Sequence, residues 1–476
     1  MGGLLPNLLY FLLKRGILLN MNFLKKLGFE KNFIKVLMAL AIPIILQSLI
    51  TASLNLLDNL MIGTLGENEI AAVGLSNQFY MVYYHSVLGI SLGAGIFMSQ
   101  LWGKKDIKEI YRFLGFSLIL SFLASFFFTA LAFFKSEGII NLFTMDSTVT
   151  NLGSQYLKAV ALSYIFTSIS MCFSVVLRST GQTKIPMYGS LVGIIFNGIL
   201  NYILIFGKFG APAYGVAGAA MGTTVARLAE LLFILSFVYL KKNVVAASLK
   251  EMLDFDFSLI KRFFKTASPV IFNDIMWIGG ITAYSVAYAK LGTQATATMQ
   301  IATTINNMFN IFGIGIAVAA SILIGNKIGA QKEEEAYNDA QAITNFGTLL
   351  GVLIGAVIYL ISPLIAMLFK ISPETQANVI TVLKIMAIFV PIRFFGIIQI
   401  VGVLRGGGDV LYAIITELLG IWGVGVPLAF LGALYFKLPI VSLYFLVCLE
   451  EPFKVLVTYP RLKSTKWIKN LTSKYA

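Results

Sequence analysis

The sequence predicts an all-α polytopic membrane protein, with twelve transmembrane helices in two parallel-repeat six-helix bundles around a central cleft. Two features predict this fold class: the composition and an internal repeat. Of the 476 residues, 58% are hydrophobic and only 12% are charged, and the mean hydropathy is +0.84. A soluble protein usually carries about 25% charged residues. Because one membrane helix removes about 20 apolar residues from water, the apolar content is roughly enough for twelve spans.

Long apolar runs, interrupted by Gly, Pro or charged residues, mark the individual spans. Each run is longer than a buried strand, and only a helix satisfies its own backbone hydrogen bonds within lipid. The predicted spans are 36–62, 70–98, 112–134, 155–177, 186–207, 213–239, 267–289, 295–325, 343–368, 378–402, 411–434 and 439–459.

The charged loops predict how the chain is oriented. One set of connections, together with both termini, carries 27 Lys and Arg residues, whereas the opposite connections carry five. Positive loops stay on the cytoplasmic side, so we expect both termini in the cytoplasm. The formal net charge of +14 is then explained by these loops. We therefore expect no nucleic-acid partner.

Several function classes find little support in the sequence. The two cysteines have no metal or disulfide spacing, and the single histidine cannot build a multi-histidine metal site. There is no phosphate-binding loop and no dinucleotide fingerprint, so the chain shows no ATP motor of its own. A membrane enzyme would need a nucleophile–base pair or a metal cluster at one interface, and a channel or receptor fits the repeat less well than a transporter. We expect a non-enzyme without a cofactor, unless sodium binds.

An internal repeat divides the chain into two similar halves. Pro43 and Gly66 are 23 residues apart, as are Pro269 and Gly292. The motif Leu-Arg-Ser-Thr-Gly that starts at Leu177 returns as Leu-Arg-Gly-Gly-Gly from Leu404. Because each half has an even number of spans, the halves are parallel, and the cleft between them is the natural substrate site. The predicted segments are a cytoplasmic or interfacial leader 1–35, a first bundle 36–240, a cytoplasmic linker 241–266, a second bundle 267–460 and a basic cytoplasmic tail 461–476.

The first half contains an ordered set of motifs. They are the run from Leu57 to Gly66, Ala71-Ala72-Val73-Gly74 with Asn77-Gln78, the motif at Leu177–Gly181, Asn197–Asn201 followed by Leu204–Gly207, and Gly215–Ala220. Together with Leu404–Asp409 in the second half, this set resembles the multidrug and toxic compound extrusion (MATE) family in its bacterial branch. The resemblance covers nearly everything after about residue 36. It implies twelve helices and the efflux of organic cations, driven by a proton or sodium gradient.

Polar residues on the first, fifth and sixth spans form a candidate cation site. Asn55 and Asp58 share one helix face, and so do Asn197 and Asn201. The resemblance maps a family cation site onto Asp58, Asn197, Asn201 and Thr223. Asn201 stands where the family has a second carboxylate, which favours sodium slightly, with Asp58, Asn197 and Asn201 as its ligands. The alternative is that Asp58 only hydrogen-bonds neighbouring helices. Placing a carboxylate in hydrocarbon costs free energy, so the presence of Asp58 requires one of these two explanations.

The second half carries a different set of acids. Asp274, Glu417, Glu450 and Glu451 lie toward the inner half of their spans, with Arg393 and Lys454 as partial counter-charges. Asn273-Asp274 with Trp277 resembles an Asn-Glu-x-x-Trp element of a bacterial branch of the family. The cluster is predicted either to bind or gate a cation or to be a charge-paired structural group.

Further residues are candidates for the wall of the cleft. The eighth span carries a polar stripe of Gln300, Thr303, Thr304 and Asn307, which either lines the cleft or hydrogen-bonds other helices. Trp277 and Tyr284 offer aromatic faces to a lipophilic cation. On the sixth span, Arg227 and Glu230 are three residues apart and are predicted to neutralise each other.

These observations predict a secondary-active antiporter that exports amphipathic organic cations or drugs in exchange for sodium or protons by alternating access. We expect a monomer whose partners are the bilayer and small organic cations. The alternative is a flippase of the same superfamily that moves a lipid-linked precursor. Such a protein should line its cleft with several Arg or Lys residues, and here the acids dominate.

Overall fold

A computed structural model describes residues 31–473, and twelve helices account for most of this range. The first six are α1 (Lys31–Gly63), α2 (Glu67–Lys104), α3 (Ile107–Phe134), α4 (Ser147–Ser179), α5 (Lys184–Phe206) and α6 (Gly215–Leu240). The second six are α7 (Phe257–Ala289), α8 (Thr293–Gly329), α9 (Glu333–Met367), α10 (Pro373–Leu404), α11 (Val410–Tyr435) and α12 (Ile440–Cys448 and Glu450–Lys463). Most of the predicted leader, residues 1–30, lies outside the described residues, as do residues 474–476.

The twelve predicted spans all fall on these helices. Within residues 31–473, eleven helices are long and apolar enough to cross a membrane. The twelfth, α12, is divided at Leu449 into two shorter pieces.

The helices extend beyond the predicted spans, mainly in polar sequence. Residues 31–35 of the predicted leader belong to α1, and residues 257–266 of the predicted linker belong to α7. Asp256 caps α7 by accepting a hydrogen bond from the backbone of Leu259 at 2.8 Å. Such end turns lie outside the apolar stretch, so hydropathy does not mark them.

The spacing of the helices confirms the parallel repeat. Each of the first five helices of the second half begins 226 residues after its counterpart in the first half. The helices α1 and α7 have the same length, 33 residues, and carry Pro43 and Pro269 at the same position. One repeat therefore maps onto the other helix by helix.

Three π-helical stretches distinguish the second half. They lie at the end of α10 (Ile398–Leu404) and within α11 (Leu419–Gly425 and Leu431–Tyr435). Such widened turns inside α-helices occur frequently at functional sites. Here the stretch at Leu419–Gly425 approaches two charged side chains: a Cβ at Gly420 would lie 2.6 Å from Lys454, and one at Gly425 would lie 2.6 Å from Glu450.

The two halves exchange contacts through their first helices. The beginning of α1, including Leu37 and Ile44, is buried in a core formed by second-half helices. Conversely, the beginning of α7, including Phe263 and Ala267, is buried in a core formed by first-half helices. The contact between the halves is therefore pseudo-symmetric, as expected for a parallel repeat.

The closest approach between the halves lies where α2 and α8 end, beside the basic connections. A Cβ at Gly103 would lie 1.8 Å from the backbone oxygen of Asn326, and one at Gly329 would lie 1.7 Å from that of Gln100. Only glycine allows the two backbones to come this close. We call this contact between α2 and α8 the basic-end seam. Toward the opposite end, α1 and α8 carry exposed polar side chains such as Asn55 and Asn307.

Candidate functional site

Four predicted residues of the first half form one hydrogen-bonded cluster. Asn201 donates through Nδ2 to Asp58 Oδ1 at 2.5 Å and also contacts Asn197 Oδ1 at 3.2 Å. Asn197 in turn donates through Nδ2 to Thr223 Oγ1 at 3.1 Å. The structure thus joins α1, α5 and α6 through Asp58, Asn197, Asn201 and Thr223, which we call the Asp58 cluster.

The Asp58 cluster contains an oxygen that has no hydrogen-bond partner. Asn197 and Asn201 are both fully buried, and among the described residues Asn201 Oδ1 receives no hydrogen bond. A buried polar atom without a partner is costly and calls for an explanation. An amide oxygen beside a carboxylate is part of a donor set that suits a sodium ion, and the carboxylate alone suits a proton. The residues present therefore fit a small hard cation.

A glycine makes room for the Asp58 cluster. A Cβ at Gly222 would lie 2.3 Å from Asn201 Oδ1, so only glycine lets α6 pack this closely against α5. The predicted member Asn55 lies apart from the cluster: its side chain is exposed, and in the described part of the chain it makes no hydrogen bond to these residues.

A second polar network in the first half was only partly anticipated. The predicted pair of Arg227 and Glu230 is confirmed, with Nη1 2.8 Å from Oε2. Glu230 also accepts a hydrogen bond from Ser190 at 2.9 Å, and Ser190 accepts one from Gln47 at 3.0 Å. Gln47 then accepts from Arg178 at 2.6 Å. The sequence had placed Arg178 among the loop cations, yet its guanidinium reaches into the bundle.

The acids of the second half divide into two ion-paired groups. In the first group, Arg405 donates through Nη2 to Glu417 Oε2 at 3.0 Å, and its Nη1 lies 4.0 Å from Asp274 Oδ1. Asn273 donates to the same Glu417 oxygen at 2.9 Å. Arg405, assigned to a loop from the sequence, is only 7% exposed and supplies the counter-charge that was missing.

The second group is formed around α12. Arg393 donates through Nε to Glu451 Oε1 at 2.9 Å, and Lys454 lies 3.3 Å from Glu450 Oε1. The hydroxyl of Tyr284 donates to the other oxygen of Glu450. Counted over both groups, four carboxylates face three cations, which leaves one formal negative charge inside the second half.

The repeat relates the first of these groups to the arginine network of the first half. At the repeat spacing, give or take one residue, Arg405 corresponds to Arg178, Asn273 to Gln47, and Glu417 to Ser190. The same three helix positions therefore hold an uncharged acceptor set in one half and an acidic set in the other. This difference accounts for one of the additional acids of the second half, Glu417.

The residues predicted to line the cleft differ in their exposure. Trp277 is 41% exposed, and its ring centroid lies 6.4 Å from that of His85 across the two halves. Tyr284 is buried and bound to Glu450, so its ring is not part of an open cleft wall, contrary to expectation. The exposed polar stripe of α8 consists of Gln300, Thr303, Thr304 and Asn307.

A neighbour of that stripe was missed. Asn306 accepts a hydrogen bond from Arg393 Nη1 at 2.5 Å, and so it belongs to the ion-paired group around α12. Its position one residue before Asn307 gave no signal, because a helix turns successive residues to different faces.

The family model described as MatE matches this chain twice, over residues 43–203 and 269–431. The chain belongs to the MatE family. Among similar MatE proteins, the uncharacterized transporter YisQ of Bacillus subtilis is 26% identical over 434 residues, which cover 91% of this chain and 94% of that protein. The probable multidrug resistance protein NorM of Thermotoga maritima is 25% identical over 444 residues, which cover 91% and 93% of the two chains.

Solved structures share the MatE fold. A MOP superfamily transporter from Pyrococcus furiosus, described as having a binding pocket of reverse polarity, superposes with a TM-score of 0.83 at 19% identity and covers 91% of this chain and 96% of its own. An outward-facing multidrug resistance MATE transporter gives the same TM-score at 19% identity, with 92% and 98% covered. At this identity the likeness establishes a twelve-helix membrane transporter fold and no more.

The two MatE matches follow the repeat and include part of each site. The first contains Asp58 and Asn201 but ends before Thr223, and the second contains Asp274 but ends before Glu450. The resemblance to the MATE family is confirmed, and the roles of the individual residues remain predictions.

Proposed function

We propose that this MatE protein is a secondary-active antiporter that exports amphipathic organic cations in exchange for sodium or protons. Relatives such as the Thermotoga maritima NorM are described as probable multidrug resistance proteins. We further propose that it acts as a monomer in a bacterial cytoplasmic membrane, with both termini in the cytoplasm, and that it catalyses no reaction.

The Asp58 cluster is the observation that supports this proposal most directly. It offers a carboxylate, a buried amide oxygen without a partner, and two further polar side chains on three different helices. A proton that enters this cluster neutralises Asp58, and a sodium ion compensates its charge by pairing with it; either ion alters the hydrogen bond from Asn201. Such an ion drives transport only if it binds one conformation of the protein better than the other.

The buried charges favour a cationic substrate over a lipid pyrophosphate. In the described part of the chain, carboxylates hold four cations of the spans: Arg227 is held by Glu230, Arg393 by Glu451, Arg405 by Glu417 and Lys454 by Glu450. Arg178 is held by Gln47. A flippase would need such groups free to bind phosphate oxygens.

Reconstituted vesicles test the proposal. We expect ethidium to move against its gradient when a sodium gradient or a pH gradient is imposed, but not under a potassium gradient of the same size. Movement under sodium alone, at constant pH, identifies sodium as the coupling ion. Translocation of a fluorescent lipid pyrophosphate without any ethidium transport would contradict the proposal and support the flippase.

A further inference from the structure

The chain continues beyond α12 as a segment that is packed against the protein. Trp467 is fully buried and donates through Nε1 to the backbone oxygen of Leu462 at 3.0 Å. Ile468 forms a β-bridge with Gly408, and the backbone N–H of Lys469 donates to Gly407 at 2.7 Å. The first part of this segment is therefore attached to the connection between α10 and α11, in the second half.

One carboxylate stabilises this contact through two ion pairs. Asp409 is 1% exposed and lies 2.7 Å from Arg461 and 2.6 Å from Lys469, one cation on each side of Trp467. Its two oxygens thus hold the end of α12 and the following segment at the same place. From the sequence alone, residues 461–476 are predicted only as a basic cytoplasmic tail.

The next residues reach across to the first half. Gln100 of α2 is fully buried, donates to the backbone oxygen of Lys469 at 3.1 Å, and accepts from the backbone N–H of Leu471 at 2.8 Å. Lys104 donates to the backbone oxygen of Thr472 at 3.2 Å. Leu471 packs against a small core that contains Ile96 of α2 together with residues of α7 and α11.

These contacts lie on the basic-end seam. Gln100 is the same residue whose backbone meets Gly329 of α8, and its side chain also donates to the backbone oxygen of Gly406 at 3.3 Å. A protein that opens its cleft at this end must separate α2 from α8. It must then also break the contacts between Gln100 and the segment 469–472.

We propose that residues 469–473 form a strap that holds the basic-end seam closed and detaches when the cleft opens there. This inference rests on the proposed alternating access. The strap is fixed to the second half by the neighbouring residues Trp467 and Ile468, so it stays attached there after release. The strap contacts the first half through a few hydrogen bonds and one apolar side chain, and each of these contributes a modest net free energy. Such a contact can form and break repeatedly.

A thiol placed in the seam reports on its opening. Ser99 of α2 is 1% exposed, and a Cβ at Gly325 of α8 would lie 2.2 Å from its Oγ. We would introduce Ser99→Cys and measure its rate of reaction with a maleimide in purified protein, without substrate or coupling ion. The native Cys172 and Cys448 are free and buried, so they react only if the protein unfolds.

Two shortened chains form the matched comparison. A chain that ends at Ile468 keeps the buried Trp467 but loses every contact of residues 469–473 with α2, together with the bonds of Lys469 to Gly407 and Asp409. A chain that ends at Ser473 keeps all of these contacts. We expect the thiol at position 99 to react roughly tenfold faster in the chain that ends at Ile468, because several hydrogen bonds and an apolar contact are lost. The chain that ends at Ser473 should react as the full chain does. Equal rates in the two shortened chains overturn the proposal.

A substitution covers the case in which shortening unfolds the protein. Unfolding is recognised because Cys172 and Cys448 then also react. The proposal is in that case tested with Gln100→Leu in the full chain, which removes the side-chain bonds to the strap. We expect this variant to accelerate labelling of position 99 alone. An unchanged rate for Gln100→Leu overturns the strap. Labelling of the thiol does not require transport, so the two proposals can fail separately. If the chain that ends at Ser473 does not transport ethidium, this result contradicts the proposed function but not the strap.

Discussion

Asp58 and Tyr284 occupy the same position in the two repeats, 226 residues apart, and each is bound to a polar residue of another helix. The direction of the bond differs: Asp58 accepts from Asn201, whereas Tyr284 donates to Glu450. The repeat therefore keeps a polar link at this position, but only the first half places a carboxylate there. This asymmetry is the reason why we propose ion coupling in the first half, and it gives the first prediction.

Replacing Asp58 by Asn should abolish active efflux without unfolding the protein. An asparagine keeps an oxygen that can accept from Asn201 Nδ2, but it removes the negative charge that attracts the coupling ion. We expect cells with Asp58→Asn to accumulate ethidium as cells with an empty vector do. The fluorescence of loaded cells measures this directly.

The control for this variant is Glu67→Gln, an exposed acid at the start of α2. It changes the same formal charge outside the Asp58 cluster and should leave efflux unchanged. Normal efflux from Asp58→Asn, at equal protein yield, would remove Asp58 from the coupling mechanism.

A methyl group at Gly222 should disrupt the same cluster without touching a charge. The added Cβ would lie 2.3 Å from Asn201 Oδ1, so Asn201 must move away from Asp58. We expect Gly222→Ala to reduce ethidium efflux at least tenfold and to lower the melting temperature, since overpacking typically costs about 1–3 kcal/mol. Gly74→Ala is the matched control, because a Cβ there meets nothing within 4 Å. Equal efflux from the two variants would show that the position of Asn201 is unimportant.

The features of the fold that could be predicted from the sequence are those that depend on composition and on the spacing of residues. Twelve apolar runs and the equal distances from Pro43 to Gly66 and from Pro269 to Gly292 were sufficient for the helices and the repeat. Hydropathy did not reveal that α7 begins at Phe257, because Lys261, Arg262 and Lys265 interrupt the apolar residues of its first turns. It did not reveal the π-helical stretches of α10 and α11 either, since they depend on packing between helices rather than on local sequence.

The candidate sites were predicted where one helix face carried the signal. Asp58, Asn197 and Asn201 were paired by their spacing and by family resemblance, and the structure brings them together. Arg178 and Arg405 were missed, because both follow long apolar runs and were counted as loop residues. Their partners lie on other helices, and one sequence contains no information about which helix faces meet.

Removing the counter-charge of Asp274 and Glu417 should strongly destabilise the second half. Arg405 is nearly buried, so Arg405→Gln leaves two carboxylates without their cation, and breaking a buried pair costs about 3–5 kcal/mol. We expect a clearly lower melting temperature in detergent. The double variant Arg405→Gln with Glu417→Gln should recover part of this loss, because it removes one of the uncompensated charges.

An exposed ion pair provides the comparison for Arg405. Lys332 lies 2.9 Å from Glu335, with both side chains at least half exposed, and such pairs contribute about 0–1 kcal/mol. Lys332→Gln should therefore leave the melting temperature nearly unchanged. If Arg405→Gln behaves like Lys332→Gln, the second-half group is not a buried ion-paired cluster.

Two adjacent asparagines on α8 should separate stability from substrate binding. Asn306 accepts a hydrogen bond from the guanidinium of Arg393, whereas Asn307 is exposed and belongs to the polar stripe that is predicted to line the cleft. We expect Asn306→Ala to lower the melting temperature, because a hydrogen bond to a charged group is worth about 1.5–3 kcal/mol. Asn307→Ala should leave the melting temperature unchanged and raise the KM for ethidium severalfold. The reverse pattern, with Asn307 controlling stability and Asn306 controlling KM, would mean that α8 presents its other face to the substrate.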